Sequence, residues 1–449
     1  MHGAGGHAAE VIFGWSPLWV ATTLFVITYL VIMSEKVNRA IIALLGAGLL
    51  ILMGVATQEE AVKAVDFNTL GLLLGMMLIV NITRKSGLFQ YVAIWSAKKV
   101  DARPWGLMVM LSLVTAVFSA FLDNVTTVLL TVPVTLLITE ELKVKPYPYL
   151  VAQILASNIG GTATLIGDPP NIMIGSATGL TFNDFAFNLA PVVVVIMAVT
   201  IVPMYFIWGR HLHATEENRR RVMAFNEREA ITDPRLLKQS LFVIALVITG
   251  FILQRQIRVE PASIAIAGAA LLLFLDNFGK SAEEQSHNTH TALSEAEWIT
   301  LMFFLGLFVL VFGIEKAGLI HMMAQWLLEV TGGDFATMAL AILWGSAILS
   351  AFIDNIPFVA TMIPLIKNLA PTFGGEQALV PLWWALALGA CLGGNGTLIG
   401  ASANLVVAGL AERAGTHIRF MSFLKVAFPL MLISIAISHV YIWLRYLQG

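Results

Sequence analysis

Long runs of apolar residues alternate with short polar stretches along most of the chain. A helix that crosses the hydrocarbon core of a bilayer needs about 17 to 25 mainly apolar residues, and several runs approach that length. The clearest runs are residues 18–33, 40–55, 67–83, 187–208, 241–254, 264–275, 298–314 and 423–446. Together with the apolar arms described below, the pattern predicts an all-α polytopic membrane protein with about 11 transmembrane helices.

The composition agrees with a membrane location and excludes other classes of protein. Hydrophobic residues make up 58% of the chain and charged residues 12%, whereas soluble domains carry about 25% charged residues. The longest polar stretch, residues 209–238, has few large apolar side chains, so it is predicted to be a connecting loop and not a domain. The net charge of −2 and the lack of a basic cluster with aromatics exclude nucleic acid as a partner.

The sequence also argues against a bound cofactor or a resident metal. Cys391 is the single cysteine, which excludes an internal disulfide and a cysteine-based metal site. The nine histidines lie mostly in loops or near the ends, without metal-site spacing, and are expected to be solvated. The start, MHGAGGHAAE, lacks the basic region of a cleavable signal, so the first apolar run is expected to stay as a helix. We expect no enzyme, no cofactor and no metal beyond a transported sodium ion.

The second half of the chain repeats the first. SAFLDNVTTVLLTVP from residue 119 aligns with SAFIDNIPFVATMIP from residue 350, an offset of 231. TLGLLLGMMLIVNITRKSGL from residue 69 aligns with TLMFFLGLFVLVFGIEKAGL from residue 300 at the same offset. GGTATLIGDPPN from residue 160 aligns with GGNGTLIGASAN from residue 393, an offset of 233. Three ordered blocks at nearly one offset predict two homologous halves, an arrangement common in transporters.

Basic residues predict the orientation of the halves, because Lys and Arg favour the cytoplasmic ends of membrane helices. Of the 26 basic residues, 19 fall in loops that we place inside: 34–39, 84–103, 140–147, 209–238, 278–297 and 411–420. Segments 67–83 and 298–314 then run in opposite directions, so the repeats are inverted, and both termini lie outside. The predicted divisions are an extra helix in 1–36, a first repeat in 37–208, a basic loop with a linking helix in 209–260 and a second repeat in 261–449.

Each half contains an Asp-Asn pair between two apolar arms. Asp123-Asn124 lies between arms 105–122 and 125–138, and Asp354-Asn355 lies between arms 337–352 and 357–369. Asp and Asn are poor inside helices and good at helix starts, where their side chains accept free main-chain N–H groups. We therefore expect two re-entrant helical hairpins that enter from opposite sides, with plain crossing pairs as the alternative.

Glycines, prolines and polar residues interrupt one apolar segment in each half. NIGGTATLIGDPPN, which ends at Asn171, and GGNGTLIGASAN, which ends at Asn404, would each break a membrane helix near its middle. Irregular backbone at that depth is tolerated only when buried in protein or lining a wet cavity, which predicts a binding site. Close helix packing is the simpler role for the glycines. The predicted backbone positions of the two broken helices are Gly160, Gly161, Gly167, Pro169, Pro170, Gly393, Gly394, Gly396 and Gly400.

Polar side chains in these four stretches are the candidate ligands for a substrate or ion. Asp123, Asp168 and Asp354 come first, because a charge at the bilayer centre costs about 2.5 to 3.5 kcal/mol and needs a cavity, a counter-ion or a proton. Each is a candidate carrier of a proton or sodium ion, although the two tip aspartates could serve only as helix caps. Asp168 has Ala401 at its repeat position, so the pocket is chemically asymmetric. The other candidates are Asn124, Thr126, Asn158, Thr162, Thr164, Asn171, Asn355, Asn395, Thr397, Ser402 and Asn404.

On the motifs SAFLDNVTT, NIGGTATLIGDPPN, DNIPFVATMIP and GACLGGNGTLIGASAN, the chain resembles the ArsB/NhaD group of the ion transporter superfamily. Within that group the motifs resemble the branch of the melanosomal P protein and its prokaryotic homologues, from Val37 onward. The resemblance implies a citrate-transporter-like fold of inverted repeats with two hairpins. It also implies a scaffold domain, a mobile transport domain that works by an elevator motion, and a homodimer in the plasma membrane.

The resemblance and the acidic residues together favour a secondary transporter that exchanges sodium or another small ion for protons. The resemblance implies that dicarboxylate transporters of the group carry Ser-Asn-Thr at their hairpin tips. At the first of these positions this chain has Asp123 in one half and Asp354 in the other. These carboxylates would repel a di- or tricarboxylate. Arsenite or antimonite efflux is the first alternative. A channel could share the fold, although the repeat and the glycines favour a carrier. An intramembrane aspartyl protease also pairs aspartates, but these acids lie at repeat-related tips.

Overall fold

The computed structural model describes residues 11–34 and 36–448, and within that range the chain is helical without β-strands. The expectation about a signal in residues 1–10 lies outside the described residues. The α-helices, numbered in chain order, are α1 Pro17–Met33, α2 Arg39–Leu52, α3 Gln58–Ala64, α4 Phe67–Arg84, α5 Leu88–Lys99, α6 Pro104–Phe121, α7 Asn124–Glu141, α8 Tyr147–Gly161, α9 Pro169–Thr178, α10 Phe182–Ile207, α11 Glu216–Met223, α12 Pro234–Ile252, α13 Gln254–Ile257, α14 Pro261–Asn277, α15 Ala282–Ser294, α16 Trp298–Lys316, α17 Leu319–Val330, α18 Phe335–Phe352, α19 Asn355–Lys367, α20 Ala370–Phe373, α21 Val380–Gly393, α22 Ser402–Arg413 and α23 Phe420–Ile442.

Many of these helices are long and apolar enough to cross a membrane. Within the described residues, eight meet both criteria, and they are built around α4, α6, α10, α12, α16, α18, α21 and α23. Five shorter apolar helices accompany them, namely α1, α2, α14, α17 and α19. The prediction of an all-α, multi-pass membrane protein is confirmed. The number of crossings, the inverted repeats and the re-entrant hairpins stay predictions.

Local sequence signals explain where several helices begin. Proline occupies the first turn of α1, α6, α12 and α14, where its missing N–H breaks no intrahelical hydrogen bond. Thr57 and Glu60 form a capping box at the start of α3, and Thr181 and Asp184 form another before α10. The second box makes α10 begin five residues before the apolar run at residue 187 that predicts it.

Two stretches predicted as connecting loops contain helices. The polar stretch 209–238 forms α11 and the beginning of α12, and the stretch 278–297 forms α15. Hydrogen bonds anchor the first stretch: the Asn218 side chain donates to the Leu142 carbonyl at 3.2 Å, and Lys98 pairs with Glu227 at 2.6 Å. Neither stretch has an apolar face long enough for hydropathy to predict a helix. The N-caps Thr215 and Ser281 are the signals that precede α11 and α15.

The helices divide into two compact units, each built from separate parts of the chain. The first contains the residues up to Leu70, with Glu297–Met338 and Ala360–Val380. Within it, α2 packs along α16. Gly306 allows this approach, because a Cβ atom there would lie 2.5 Å from the main-chain carbonyl carbon of Ala43.

The second unit contains Gly71–Ala296, Ala339–Val359 and Pro381–Gly449. Helices α5, α6, α7, α8, α22 and α23 contribute to its apolar core. Every predicted site residue lies in this unit, including both Asp-Asn pairs and both interrupted segments. The arrangement of the site therefore follows from the packing of one unit.

Candidate functional site

Both predicted Asp-Asn pairs stand at helix starts. Asp123 lies between α6 and α7 as the N-cap of α7, and its Oδ1 accepts the main-chain N–H of Thr126 at 2.8 Å. Asp354 lies between α18 and α19, and its Oδ1 accepts the main-chain N–H of Ile356 at 3.1 Å. Its Oδ2 accepts the hydroxyl of Ser402, the first residue of α22, at 2.9 Å. The helix N-termini favour negative charge at these aspartates.

The two interrupted segments leave the α-helical conformation where the glycines and prolines predict it, and within the second segment Leu398–Gly400 forms a single 3-10 turn. α8 ends at Gly161 and α9 begins at Pro169, and α21 ends at Gly393 and α22 begins at Ser402. Pro169 and Pro170 occupy the first two positions of α9, where they break no intrahelical hydrogen bond. The prolines therefore start a helix after the interruption.

Asn171 and Asn404 hold the two interrupted segments in shape. Each side-chain amide nitrogen donates to main-chain carbonyls inside the preceding segment. The acceptors are the carbonyls of Thr162 (3.2 Å) and Thr164 (2.9 Å) for Asn171, and of Gly394 (2.7 Å) and Thr397 (2.9 Å) for Asn404. Because an amide group has two N–H donors, these bonds use the donors of both side chains. Both asparagines therefore stabilise the backbone conformation of their segments.

Further hydrogen bonds recur in the second half at the offset of the sequence repeat. In each half a serine hydroxyl on the helix before the tip aspartate donates to a main-chain carbonyl of the interrupted helix. In the opposite direction, a threonine hydroxyl of the interruption donates to a main-chain carbonyl of the helix before the tip aspartate. The serine bonds are Ser119 to Ser157 (2.6 Å) and Ser350 to Ala390 (2.7 Å), and the threonine bonds are Thr164 to Ala120 and Thr397 to Ala351. The same contacts thus fasten each tip to its neighbouring segment.

Asn158 is the centre of a buried cluster of amides. Its Oδ1 accepts from Asn124 at 3.1 Å, and its Nδ2 donates to Asn395 and to Asn404, at 2.9 Å in each case. The amide nitrogen of Asn395 in turn donates to the Leu155 carbonyl at 3.3 Å. The cluster joins the first Asp-Asn pair to both interrupted segments by side-chain hydrogen bonds.

Asp168 connects the second Asp-Asn pair to the first interrupted segment. Its Oδ1 and Oδ2 lie 3.2 and 3.4 Å from the amide nitrogen of Asn355, which donates to them. Asp168 occupies the N-cap position of α9 without capping it by a side-chain hydrogen bond, so its oxygens face the site. Ala401 holds the same position before α22 and offers no carboxylate. Asp168 and Ala401 thus hold corresponding positions before α9 and α22, and only the first supplies a carboxylate.

The site buries carboxylates without burying basic side chains. Asp123 is 7% exposed and Asp168 is 0% exposed, and no Lys, Arg, His or Glu among the described residues is buried to this degree. Within the same part of the chain, no basic side chain forms an ion pair with Asp123 or Asp168. A buried, unpaired carboxylate is unfavourable, so it requires a proton or a cation.

The glycines of the interrupted segments permit close backbone contact. A Cβ atom at Gly160 would lie 2.1 Å from the Ala116 carbonyl oxygen, and one at Gly393 would lie 2.6 Å from that of Ala347. None of the predicted backbone glycines has a left-handed conformation. For the others a Cβ atom would come within 3.2 Å of a neighbour: Gly161, Gly167, Gly394, Gly396 and Gly400. Close packing, the simpler of the two interpretations, is thus a sufficient reason for these glycines.

The structure uses several predicted ligands for backbone contacts. Thr162 donates its hydroxyl to the Asn158 carbonyl at 2.7 Å, and Thr126 contributes its main-chain N–H to Asp123. Sequence reasoning did not single out Ser119 and Ser350, although both stand in the repeated SAF motif. It also missed Cys391, whose thiol donates to the Asn171 side-chain oxygen at 3.5 Å.

Apolar helices of membrane-spanning length, with buried carboxylates and amides at helix interruptions, are the features of a polytopic membrane transporter. The chain belongs to the citrate transporter family, whose family model matches residues 29–389. The expected resemblance to the ion transporter group is thereby confirmed.

Similar proteins cover nearly all of the chain. A protein of Mycobacterium bovis named as an uncharacterized transporter is 42% identical over 431 residues, which are 95% of this chain and 98% of that one. The 46 kDa membrane protein of Mycobacterium leprae is 40% identical over 435 residues, 95% of this chain and 99% of that one. The P protein of Sus scrofa is 34% identical over 504 residues, covering 94% of this chain but 59% of the longer P protein.

Two solved transporter structures share the fold. The YdaH transporter of Alcanivorax borkumensis superposes with a TM-score of 0.57 at 15% identity, covering 97% of this chain and 99% of that one. MtrF of Neisseria gonorrhoeae, described as illuminating a class of antimetabolite efflux pumps, gives a TM-score of 0.57 at 14% identity, covering 98% and 96%. At these identities the similarity concerns the fold alone.

Proposed function

We propose that the chain is a secondary active transporter that exchanges sodium, or another small cation, for protons across the membrane. The observation that supports this proposal most strongly is the burial of Asp123 and Asp168 without a basic partner. A carboxylate in that setting is stabilised by a proton or by a bound cation. When both compete for the same oxygens, binding of one releases the other, which couples their movement.

The oxygens of the site suit a small, hard cation. Such cations prefer carboxylate, amide and main-chain oxygens. Asp123 and Asp168 supply carboxylates, and the non-helical residues 162–168 supply main-chain carbonyls. In this proposal Asp354 and Ser402 supply the corresponding oxygens in the second half. Asn171 and Asn404 hold the backbone of the two interrupted segments in shape.

The proposal includes the architecture predicted from the sequence. Its parts are two inverted repeats, re-entrant hairpins tipped by Asp123 and Asp354, an elevator motion, a homodimer in the plasma membrane and external termini. The matching serine, threonine and asparagine hydrogen bonds in the two halves support the repeat. The domain limits at 37–208 and 261–449 follow from the same repeat.

Carboxylate transport is the second candidate, because the family model is described as a citrate transporter. An anionic substrate would face three aspartates and, within the described residues, no buried basic side chain. It would therefore need protonated aspartates or a bound cation that offsets the repulsion. In cation exchange the proton and the cation that stabilise the aspartates are themselves the transported species, so no additional ion is needed, and we favour it.

A flux assay separates these candidates. Proteoliposomes with an internal pH dye and an imposed proton gradient are treated in turn with sodium, lithium, arsenite, antimonite and citrate. We expect sodium or lithium to dissipate the gradient, and citrate and arsenite to leave it intact. A response to citrate, arsenite or antimonite alone would reject cation exchange.

Substitution of the tip aspartates tests the site itself. Asp123→Asn and Asp354→Asn should each abolish coupled exchange, because Asn can cap a helix but cannot carry a proton or bind a cation as strongly. Asp233→Asn is the matched control, since Asp233 caps α12 at an exposed position. The control should exchange like the wild type. A double tip variant with normal coupled flux would remove these residues from the mechanism.

A further inference from the structure

A ladder of hydroxyl groups extends from Asp123 along α7. Thr127, Thr131, Thr135 and Thr139 follow Asp123 at intervals of four residues, so each lies about one turn beyond the last on a line that winds slowly around the helix, and all four are buried. At 1.5 Å per residue the ladder spans about 24 Å from Asp123 to Thr139. It ends at Thr139, directly before the exposed Glu140.

The corresponding face of the second half has no such ladder. The residues 231 positions later are Phe358, Met362, Ile366 and Ala370, whereas Pro133 and Pro364 match at the same offset. α19 therefore forms without hydroxyls on this face, which means that the helix itself does not require them. Polar residues of the neighbouring helix α8 are also replaced, with Leu386 at the position of Gln153.

The hydrogen bonds of the ladder leave room for further partners. Thr131, Thr135 and Thr139 each donate to the carbonyl four residues earlier, at 3.0, 3.0 and 2.9 Å. A hydroxyl that donates its single hydrogen still has lone pairs that can accept another. Thr127, nearest to Asp123, differs: its Oγ1 is buried and has no hydrogen-bond partner among the described residues.

A second orphaned group lies on the helix next to α7. The side-chain Oε1 of Gln153, on α8, is buried without a partner, although the Nε2 of the same side chain donates to the Thr115 hydroxyl at 3.2 Å. Helix α8 packs against α7. Unpaired polar atoms in a protein interior are unfavourable unless water or an ion satisfies them. Of these two atoms only the Thr127 hydroxyl lies on the ladder itself, and it points to hydration next to Asp123.

We infer that water held along the threonine ladder conducts protons between Asp123 and the C-terminal end of α7. The inference rests on the proposed proton exchange and names its proton path. A proton taken up at the end of α7 is relayed through water and threonine hydroxyls to Asp123, whose carboxylate becomes a carboxylic acid. The return transfer restores the carboxylate, and no group is oxidised or reduced. Asp354 has no equivalent path on α19, so the two tip aspartates have different roles.

The functional test removes hydroxyls while keeping shape. In the double variant Thr131→Val and Thr135→Val, sodium-driven proton movement in proteoliposomes should fall about tenfold, while sodium affinity in detergent stays within about twofold. The double variant Thr131→Ser and Thr135→Ser keeps the hydroxyls and should exchange normally. Thr83→Val is the matched control, because Thr83 is buried and donates to the carbonyl four residues earlier at 2.7 Å. A valine double variant with the wild-type rate would overturn the inference, leaving the threonines as backbone-bonded residues only.

A second measurement does not depend on transport. In a Cys391→Ser background, Thr131→Cys and Thr135→Cys are exposed to silver ions, and the thiols left unprotected are then counted by maleimide labelling of the denatured protein. Silver should protect both cysteines and should not protect Ile366→Cys, the equally buried repeat counterpart of Thr135. Lack of protection at both threonine positions would overturn the inference that water lines the ladder, even if the protein exchanges cations for protons. Protection in a protein that exchanges no cation would instead reject the proposed function.

Discussion

Replacing Gly160 by alanine tests the close contact that positions the site. A Cβ atom there would lie 2.1 Å from the Ala116 carbonyl oxygen and 2.5 Å from its Cα, both main-chain atoms that cannot rotate away. To reach the 3.4 Å of ordinary contact, α8 and α6 would have to separate by about 1.3 Å. That shift would strain the Ser119–Ser157 hydrogen bond between the same helices.

The expected loss of stability follows from these two effects. Overpacking against a rigid neighbour costs about 1 to 3 kcal/mol, and a weakened buried hydrogen bond adds about 1 kcal/mol. Gly160→Ala should therefore destabilise the protein by about 2 to 4 kcal/mol. Gly393→Ala should destabilise it less, because its Cβ atom would lie 2.6 Å from the nearest main-chain atom and needs a shift of about 0.8 Å.

Thermal unfolding of the purified protein in detergent measures this effect. Gly345→Ala is the control, since it lies in α18 with no atom within 4 Å of its Cβ position and should gain up to about 1 kcal/mol of helix propensity. We expect the order Gly345→Ala, wild type, Gly393→Ala and Gly160→Ala, from most to least stable. A Gly160→Ala protein as stable as the wild type would refute the reasoning from close packing.

Two further predictions concern the brace at the second interruption and a surface ion pair. Asn404→Ala should lower thermal stability by about 2 to 3 kcal/mol, because two buried carbonyls lose their donors. Asn404→Asp, which also loses both donors and in addition buries a carboxyl group against those carbonyls, should lose at least as much. At the surface, the Lys316 ammonium and the Thr57 main-chain N–H lower the pKa of Glu60 to about 2. The depressed pKa means that this pair stabilises the fold above the ordinary value of 4.5, and that the contribution disappears as pH falls from 4.5 towards 2. Because the Glu60 side chain is 37% exposed to solvent, Glu60→Gln should cost less than about 1 kcal/mol at pH 7. The difference from wild type in melting curves should shrink below pH 4.5 and vanish as pH approaches 2.

The sequence predicts much of the helical framework because lipid imposes long apolar segments. The same constraint makes the interruptions at Gly160–Gly161 and Gly393–Gly394 visible, since polar, glycine-rich residues are rare in membrane helices. Asp123 and Asp354 could be predicted as helix starts because Asp is a strong N-cap residue.

The partners of each side chain could not be predicted, because they depend on packing between distant parts of the chain. Sequence spacing does not show that Asn158 donates to Asn395 and Asn404, which lie more than 230 residues away. It also does not separate Asn171, which braces the backbone, from Asn355, which reaches Asp168. Residue type is the same in each case, and only the fold decides which group each amide meets.

The most direct measurement of the central claim is proton release on cation binding. Sodium is added to the purified protein in weakly buffered detergent solution with a pH indicator, while sodium binding is followed in parallel. We expect bound sodium to release protons, and Asp123→Asn or Asp168→Asn to reduce both signals. Sodium that binds without releasing protons, or that does not bind at all, would contradict the account.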